Sequence, residues 1–158
     1  MNWNKQNPYL AKITSKKLLS GKQSKKEVFH YEISLGDSGI IYQPGDSLGI
    51  FPVNNHTLVK AIINRLQINP TYIPEGYDLN IYELLEKKFE ILTPTNRLIK
   101  FVNDNINHKD LNYSLNTKNM NTFMDFKYGK DVLDFMNLDE NLKFDVLHFL
   151  TLLKPLQH

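Results

Sequence analysis

The sequence predicts an α+β fold in which the strands come first and the helices follow. Within residues 1–53 apolar and polar side chains alternate, as in strands that bury one face. From His56 onward apolar side chains recur every three or four residues, as on the buried side of a helix. This segregated order argues against a doubly wound α/β fold. It favours part of an antiparallel sheet or barrel in residues 1–53, followed by a helical subdomain in residues 54–158.

The first third of the chain contains three predicted strands, at residues 8–15, 27–35 and 47–51. The second is the clearest, because every other side chain from Phe29 onward is apolar. The polar residues 16–26 carry five lysines, whereas nucleic-acid surfaces favour arginine with interleaved aromatic side chains. We therefore expect a solvated hairpin loop there and no nucleic-acid partner.

Helical periodicity dominates the remainder of the chain. Asn54 or Asn55 is a suitable N-cap for the first predicted helix, and Thr95 is suitable for the third. The apolar stripe is strongest in the last helix, which Pro155 terminates. The predicted helices cover residues 56–66, 80–88, 96–104, 130–136 and 139–153, with a single helical turn near residues 111–115.

The segment Tyr42–Pro52 contains the strongest turn signal in the sequence. Pro44 presets φ and Gly45 tolerates a positive φ, so the chain is expected to bend there. The Asp46 carboxylate is well placed to accept hydrogen bonds from backbone amides just beyond the turn. Taken by itself, such a segment indicates a hairpin corner leading into a short strand.

Composition excludes several classes of protein. The chain contains no cysteine, which excludes disulfides and thiolate metal sites and is typical of a reducing compartment. No apolar run approaches the roughly 20 residues that a membrane helix needs. The N-terminus lacks the apolar segment of a signal peptide. We therefore expect a cytoplasmic protein without a membrane partner.

Recognisable motifs for catalysis or metal binding are missing from the sequence. It has no phosphate-binding glycine motif, and its five histidines lack the spacing of metal ligands. Glu83, Glu86 and Glu90 recur at helical spacing, and we interpret them as a solvated helix face rather than a carboxylate site. His30 is expected to be a half-exposed strand residue. The residues by themselves predict no catalytic residue and no metal site.

One combination of short motifs is more informative. It consists of Asp37-Ser38-Gly39, Tyr42-Gln43-Pro44-Gly45-Asp46-x-Leu48-Gly49-Ile50 and Pro52-x-Asn54, in that order after a strand. The combination resembles the FAD-binding, ferredoxin-reductase-type domain of diflavin reductases, and within that family most closely the sulfite reductase flavoproteins. The similarity covers nearly the whole chain, although only the Tyr-x-Pro-Gly-Asp segment is fairly specific.

The resemblance implies a Greek-key antiparallel barrel with an all-helical connecting subdomain inserted between its early and late strands. Residues 1–53 would then be the early barrel strands, and residues 54–158 would be the connecting subdomain. In the family, an Arg-x-Tyr-Ser flavin motif follows a segment like Lys154-Pro155-Leu156, and this chain ends before it. The resemblance therefore implies a fragment without its FMN and NADPH domains and with unpaired strand edges that allow self-association.

Two residues are implied as FAD contacts. A gapless match puts Leu92 at the position of a family threonine that contacts FAD, with Thr93 next to it. A second family contact falls at about Tyr128, for which a packed aromatic side chain is the alternative. The implied parent protein passes electrons from NADPH through FAD and FMN to a hemoprotein like that of sulfite reductase. The chain alone is expected to be inactive and to bind FAD weakly or not at all; the alternative is a non-catalytic spacer or interaction module.

Overall fold

The computed structural model describes residues 3–4, 7–116 and 120–156. Its contacts divide the chain into two compact units, Met1–Gly49 and Ile50–His158, which are described separately below. The predicted division between residues 53 and 54 remains a prediction. No helix in the described ranges is long and apolar enough to span a membrane.

The first unit is organised around one antiparallel hairpin. Strand β1 (Lys12–Leu18) pairs with β2 (Phe29–Ser34), and an irregularity in the register lies between Ile13 and Ser15. β1 begins later than predicted and extends into the lysine-rich segment that was expected to be a loop. The long lysine side chains fit an exposed strand because the Lys16 ammonium lies 4.4 Å from the Phe29 ring centroid, a cation–π contact.

The turn at Pro44 and Gly45 forms as predicted. Gly45 has φ of 101°, and the Asp46 amide donates to the Gln43 carbonyl at 3.0 Å. The Asp46 carboxylate accepts from the Gln43 amide at 2.7 Å, before the turn rather than beyond it. The strand predicted for residues 47–51 is wrong, because these residues have no ladder partner among the described residues.

The strands form two separate two-stranded antiparallel sheets within the described residues, which therefore contain no closed barrel. One sheet is the β1–β2 hairpin. The other joins β3 (Phe89–Glu90) to β4 (Lys154–Pro155) inside the second unit. The prediction that the connecting subdomain is all-helical is therefore wrong. Strands of two residues are too short to leave an alternating pattern in the sequence.

Seven helices lie in the described part of the second unit. They are α1 (His56–Leu66), α2 (Ile81–Lys87), α3 (Asn96–Asn105), α4 (Lys109–Asn116), α5 (Met120–Lys127), α6 (Val132–Met136) and α7 (Val146–Leu152). Asn55, rather than Asn54, caps α1, and its side chain accepts from the Thr57 amide at 2.8 Å. Thr95 caps α3 as predicted.

Two parts of the helical prediction differ from the structure. The last helix begins at Val146, because Asp145 caps it by accepting from the His148 amide at 2.9 Å. Residues 139–145 form turns and irregular backbone instead. In the asparagine-rich segment, α4 is longer than the predicted single turn, and α5 was not predicted. Asparagine has a weak helix propensity, so packing rather than local preference determines these two helices.

The hydrophobic core lies entirely in the second unit. Among the described side chains, all of its helices except α5 contribute fully buried ones, such as Ile62, Leu85, Ile99, Phe135 and Phe149, and α5 contributes the partly buried Phe123 and Phe126. The described part of the first unit has no buried hydrophobic side chain, and Ile13, Leu18 and Tyr31 of the hairpin are exposed. Apolar burial therefore stabilises mainly the second unit.

Arg65 fixes the irregular segment before α7 onto α1. Its Nη2 donates to the carbonyls of Met136, Asp139 and Leu142, each at 2.9 Å. The guanidinium carbon lies 5.6 Å from the Phe144 ring centroid. One side chain thus satisfies the carbonyl at the end of α6 and two carbonyls in the irregular segment that follows.

Replacing Arg65 with methionine should lower the free energy of unfolding by about 2–3 kcal/mol, because the three carbonyls lose a charged donor. Arg97 is the matched control, because it is exposed and, among the described residues, its side chain donates only to the Leu153 carbonyl, at 2.8 Å. Arg97→Met should cost about 1 kcal/mol or less. Urea denaturation followed by circular dichroism measures the free energy of unfolding of both variants. Equal losses of stability would contradict the role of Arg65 in fixing the segment before α7.

Candidate functional site

The two predicted FAD-contact residues lie on segments that the fold brings together. The Val132 amide donates to the Ile91 carbonyl at 3.1 Å. This bond joins the segment that contains Thr93 to the start of α6, just after Tyr128. Both Thr93 and Tyr128 are exposed. The structure therefore joins Ile91, two residues before Thr93, to Val132, four residues after Tyr128, and leaves Thr93 and Tyr128 exposed.

Glu90 shapes the loop that carries Thr93. Glu90 is only 2% exposed. Its Oε1 accepts hydrogen bonds from the backbone amides of Leu92 at 2.7 Å and Thr93 at 3.2 Å. The Leu92 side chain is 58% exposed. A buried carboxylate thus holds two successive amides, while the side chains of the loop remain at the surface.

The prediction that Glu83, Glu86 and Glu90 form a solvated helix face is wrong. α2 ends at Lys87, so Glu90 lies on β3, where the fold buries it. Glu86 is 8% exposed, with its carboxylate 3.1 Å from His56 Nδ1 and 3.2 Å from Lys87 Nζ. Glu83 closes a capping box with Asn80. Helical spacing could not reveal that α1 begins beside Glu86.

Asn54, the last residue of the motif combination, is a buried anchor at 5% exposure. Its Nδ2 donates to the carbonyls of Leu85 and Phe89, both at 2.7 Å. Its backbone amide donates to the Glu86 carbonyl at 2.9 Å. The three bonds fix the entry to α1 against the end of α2 and the start of β3. The sequence indicated Asn54 only as a possible helix cap.

The other side of the loop is held by α3 and the end of the chain. The Thr95 hydroxyl donates to the Leu152 carbonyl and accepts from the Leu98 amide at 3.1 Å. β4 pairs with β3, and the Leu156 amide donates to the Lys88 carbonyl at 2.8 Å. Thr95 is therefore committed to structural hydrogen bonds, whereas Thr93 is exposed.

Tyr128 follows α5 and is 87% exposed, so the alternative of a packed aromatic side chain is wrong. Its amide donates to the Met124 carbonyl at 2.9 Å, and Gly129 continues the turn with φ of 72°. Lys130 fixes the turn, because its Nζ lies 4.5 Å from the Phe126 ring centroid and donates to the Phe126 carbonyl. The contact of Tyr128 with FAD remains a prediction.

Asp131 begins α6 with a reciprocal capping box. Its carboxylate accepts from the Asp134 amide at 3.0 Å, and its amide donates to the Asp134 carboxylate at 2.8 Å. Burial raises the pKa of Asp131 above its usual range, and the neighbouring Asp134 charge adds to this effect, against backbone hydrogen bonds that lower the pKa. The pKa of this carboxyl is thus higher in the folded protein than in the unfolded chain.

The described residues contain no group of three or more side chains able to hold a metal ion. The candidate site instead consists of an exposed hydroxyl, an exposed aromatic ring and a rigid backbone. Such groups are able to position a ligand.

Replacing Asn54 with aspartate should lower the free energy of unfolding by about 3 kcal/mol. The change removes two buried donors and places a carboxylate against two carbonyls. Asn55→Asp is the matched control, because aspartate is an equally good N-cap and its charge suits the start of a helix. Chemical denaturation compares the two variants. A similar stability for both would contradict the anchoring role of Asn54.

Replacing Asp131 should separate its capping role from its charge. A raised pKa stabilises the fold at low pH, and this contribution is lost as the pH rises through the raised pKa. Asp131→Asn keeps the cap without the titration, so its stability relative to the unsubstituted chain should increase from pH 3.5 to pH 7. Asp131→Ala lacks both the titrating group and the cap, so it should be about 1 kcal/mol less stable than Asp131→Asn at both pH values.

Denaturant midpoints at the two pH values measure these differences. A stability difference between Asp131→Asn and the unsubstituted chain that falls with rising pH would refute the assigned direction of the pKa shift.

Comparison with known proteins places these features in a family. A family model for the FAD binding domain matches residues 1–98. The sulfite reductase [NADPH] flavoprotein alpha-component of Vibrio parahaemolyticus is 38% identical over 99 residues, which are 61% of this chain and 16% of the relative. The proteins of the same name from Buchnera aphidicola (Schizaphis graminum) and Mannheimia succiniciproducens are 29% and 28% identical. They match 99% of this chain, which spans 26% of each relative. The chain therefore belongs to the FAD-binding domain family of flavoproteins.

Proposed function

We propose that this chain forms part of the FAD-binding domain of an NADPH-dependent diflavin oxidoreductase similar to the sulfite reductase flavoproteins. In such a protein, NADPH reduces FAD, FAD passes electrons to FMN, and FMN passes them to a metalloprotein. FAD supplies the redox chemistry when bound, and the protein supplies binding and orientation. The chain spans about a sixth to a quarter of the relatives' length, so the remaining steps belong to other parts of the protein.

The observation that carries this proposal is the convergence of three segments at the candidate site. The Thr93 loop and the start of α6 meet through the Ile91–Val132 hydrogen bond. β4 lies beside β3, the strand that leads into this loop. In the family, the Arg-x-Tyr-Ser flavin motif follows a segment like β4. The same fold thus brings the segment before that motif next to a predicted FAD contact.

Within this proposal, residues 1–53 provide the early strands of a Greek-key barrel and residues 54–158 the connecting subdomain. The exposed apolar side chains of the hairpin support this division, because a barrel strand buries one face against other strands. Both outer edges of the hairpin lack a partner strand among the described residues. In the absence of such strands, we expect the edges to mediate self-association.

The chain's own residues have a binding role rather than a catalytic one. Thr93 offers a hydroxyl and Tyr128 an aromatic ring, which are groups that contact and orient a ligand. FAD would be held weakly, and FMN and NADPH would bind to other domains of a cytoplasmic protein. A hemoprotein like that of sulfite reductase is the proposed electron acceptor.

A second function is favoured by the distribution of the core. All the buried hydrophobic side chains belong to the second unit, which thus has a core of its own. Such a unit is able to act as a non-catalytic spacer that holds neighbouring domains apart. This alternative predicts no FAD binding at any concentration, whereas the first proposal predicts weak binding.

FAD titration of the purified chain, followed by flavin fluorescence anisotropy, tests the first proposal. We expect saturable binding that is too weak to survive gel filtration. Thr93→Ala should weaken it about fivefold, the effect of one hydrogen bond. Thr57→Ala, a change of another exposed threonine, is the matched control and should leave the Kd unchanged. No binding to the unsubstituted chain would favour the spacer, and stoichiometric flavin after gel filtration would refute weak binding.

Sedimentation velocity over a range of concentrations tests self-association through the hairpin. We expect reversible association that Tyr31→Lys weakens, because this side chain is exposed on the hairpin. Tyr113→Lys on α4, also exposed, is the matched control and should leave association unchanged. A monodisperse monomer at every concentration would contradict the proposal.

A further inference from the structure

Glu90 is buried at the base of the candidate site, although it has no catalytic role in the proposed function. Burying a carboxylate is unfavourable unless hydrogen bonds compensate for the lost water. Here one oxygen accepts from two consecutive amides, those of Leu92 and Thr93, at 2.7 and 3.2 Å. Two such bonds to a charged acceptor restrict the backbone of both residues. The side chain of Glu90 therefore determines the conformation of the loop that follows it.

Glu90 is itself held rigidly. It lies on β3, where it pairs with Lys154 of β4. The carbonyl of the preceding residue, Phe89, accepts a hydrogen bond from the buried side-chain amide of Asn54 at 2.7 Å. On the other side, the Ile91 carbonyl accepts from Val132. The backbone on both sides of Glu90 is thus held by hydrogen bonds, which fixes the position of the carboxylate. This is the condition for preorganising a binding loop.

The loop geometry distinguishes between its two threonines. The Thr95 hydroxyl is occupied by the Leu152 carbonyl and the Leu98 amide. The amide of Thr93 is held by Glu90, while its side chain is exposed. Thr93 is therefore the threonine of this loop with an exposed side chain, and Glu90 holds the backbone amide of the same residue.

We propose that Glu90 is a positioning residue for flavin binding, which acts through the Leu92 and Thr93 amides to present the Thr93 hydroxyl to FAD. This inference rests on the proposed FAD-binding function. Glutamine should replace Glu90 successfully, because its carbonyl oxygen accepts the same two hydrogen bonds. Alanine should not, because both amides lose their acceptor.

A double-mutant cycle on the complete chain tests the proposal, with the Kd for FAD measured by fluorescence anisotropy at a temperature where every variant is folded by circular dichroism. Glu90→Ala should raise the Kd about fivefold, as Thr93→Ala does, and Glu90→Gln should stay within about twofold of the unsubstituted chain. Adding Thr93→Ala to Glu90→Ala should cause little further loss, because both changes remove the same contact.

Glu86→Ala is the matched control, because it removes a buried glutamate with ion pairs to His56 and Lys87 but without bonds to the loop. It should lower stability and leave the Kd unchanged. If Glu90→Ala does not fold, Glu90→Asp replaces it in the cycle, since its shorter side chain withdraws the carboxylate from the amides while keeping its charge.

The outcomes separate the inference from the function on which it rests. A Kd unchanged by Glu90→Ala or Glu90→Asp, losses that add fully to that of Thr93→Ala, or a glutamine variant as weak as the alanine variant would each overturn the positioning role alone. Absence of FAD binding to the unsubstituted chain would overturn both the proposed function and this inference. Rescue by glutamine together with non-additive losses is the result we expect.

Discussion

The short ladder between β3 and β4 joins distant parts of the sequence, and the candidate site is built on it. Glu90 pairs with Lys154 across this ladder, and the Leu156 amide extends it to the Lys88 carbonyl. The Phe89 carbonyl of β3 also accepts a hydrogen bond from the side-chain amide of Asn54, and β3 leads directly into the Glu90–Thr93 turn. If the ladder were lost, the buried backbone groups of β3 would lose their partners, and the loop would lose its base.

Buried polar groups specify this region more than apolar packing does. Leucine and isoleucine fill the space between the helices, but their apolar contacts are not directional and tolerate small shifts of one element against another. A buried hydrogen bond does not tolerate such shifts. Asn54 and Arg65 each donate to carbonyls of more than one segment, and Glu90 accepts from two consecutive amides, at distances near 3 Å. Each of these side chains therefore selects one arrangement of irregular backbone, and two of them lie directly behind the candidate site.

The two units differ in how completely they bury their apolar side chains. The second unit buries its apolar side chains and has capped helices, so its fold is supported from within. The first unit pairs two strands but leaves their apolar side chains exposed. A two-stranded hairpin is marginal by itself in water, so further strands or a second copy would stabilise it. This contrast is what the proposed barrel explains.

Local patterns in the sequence determined the α+β class, the Pro44–Gly45 turn, a cap at Asn54 or Asn55, the cap at Thr95, and the approximate place of most helices. These features depend on neighbouring residues alone. Tertiary structure decided the rest: the pairing of β3 with β4, the burial of Glu86 and Glu90, the exposure of Tyr128, and the absence of a strand at residues 47–51. Each of these depends on a partner far along the chain, or on the lack of one, and side-chain periodicity carries no information about such a partner.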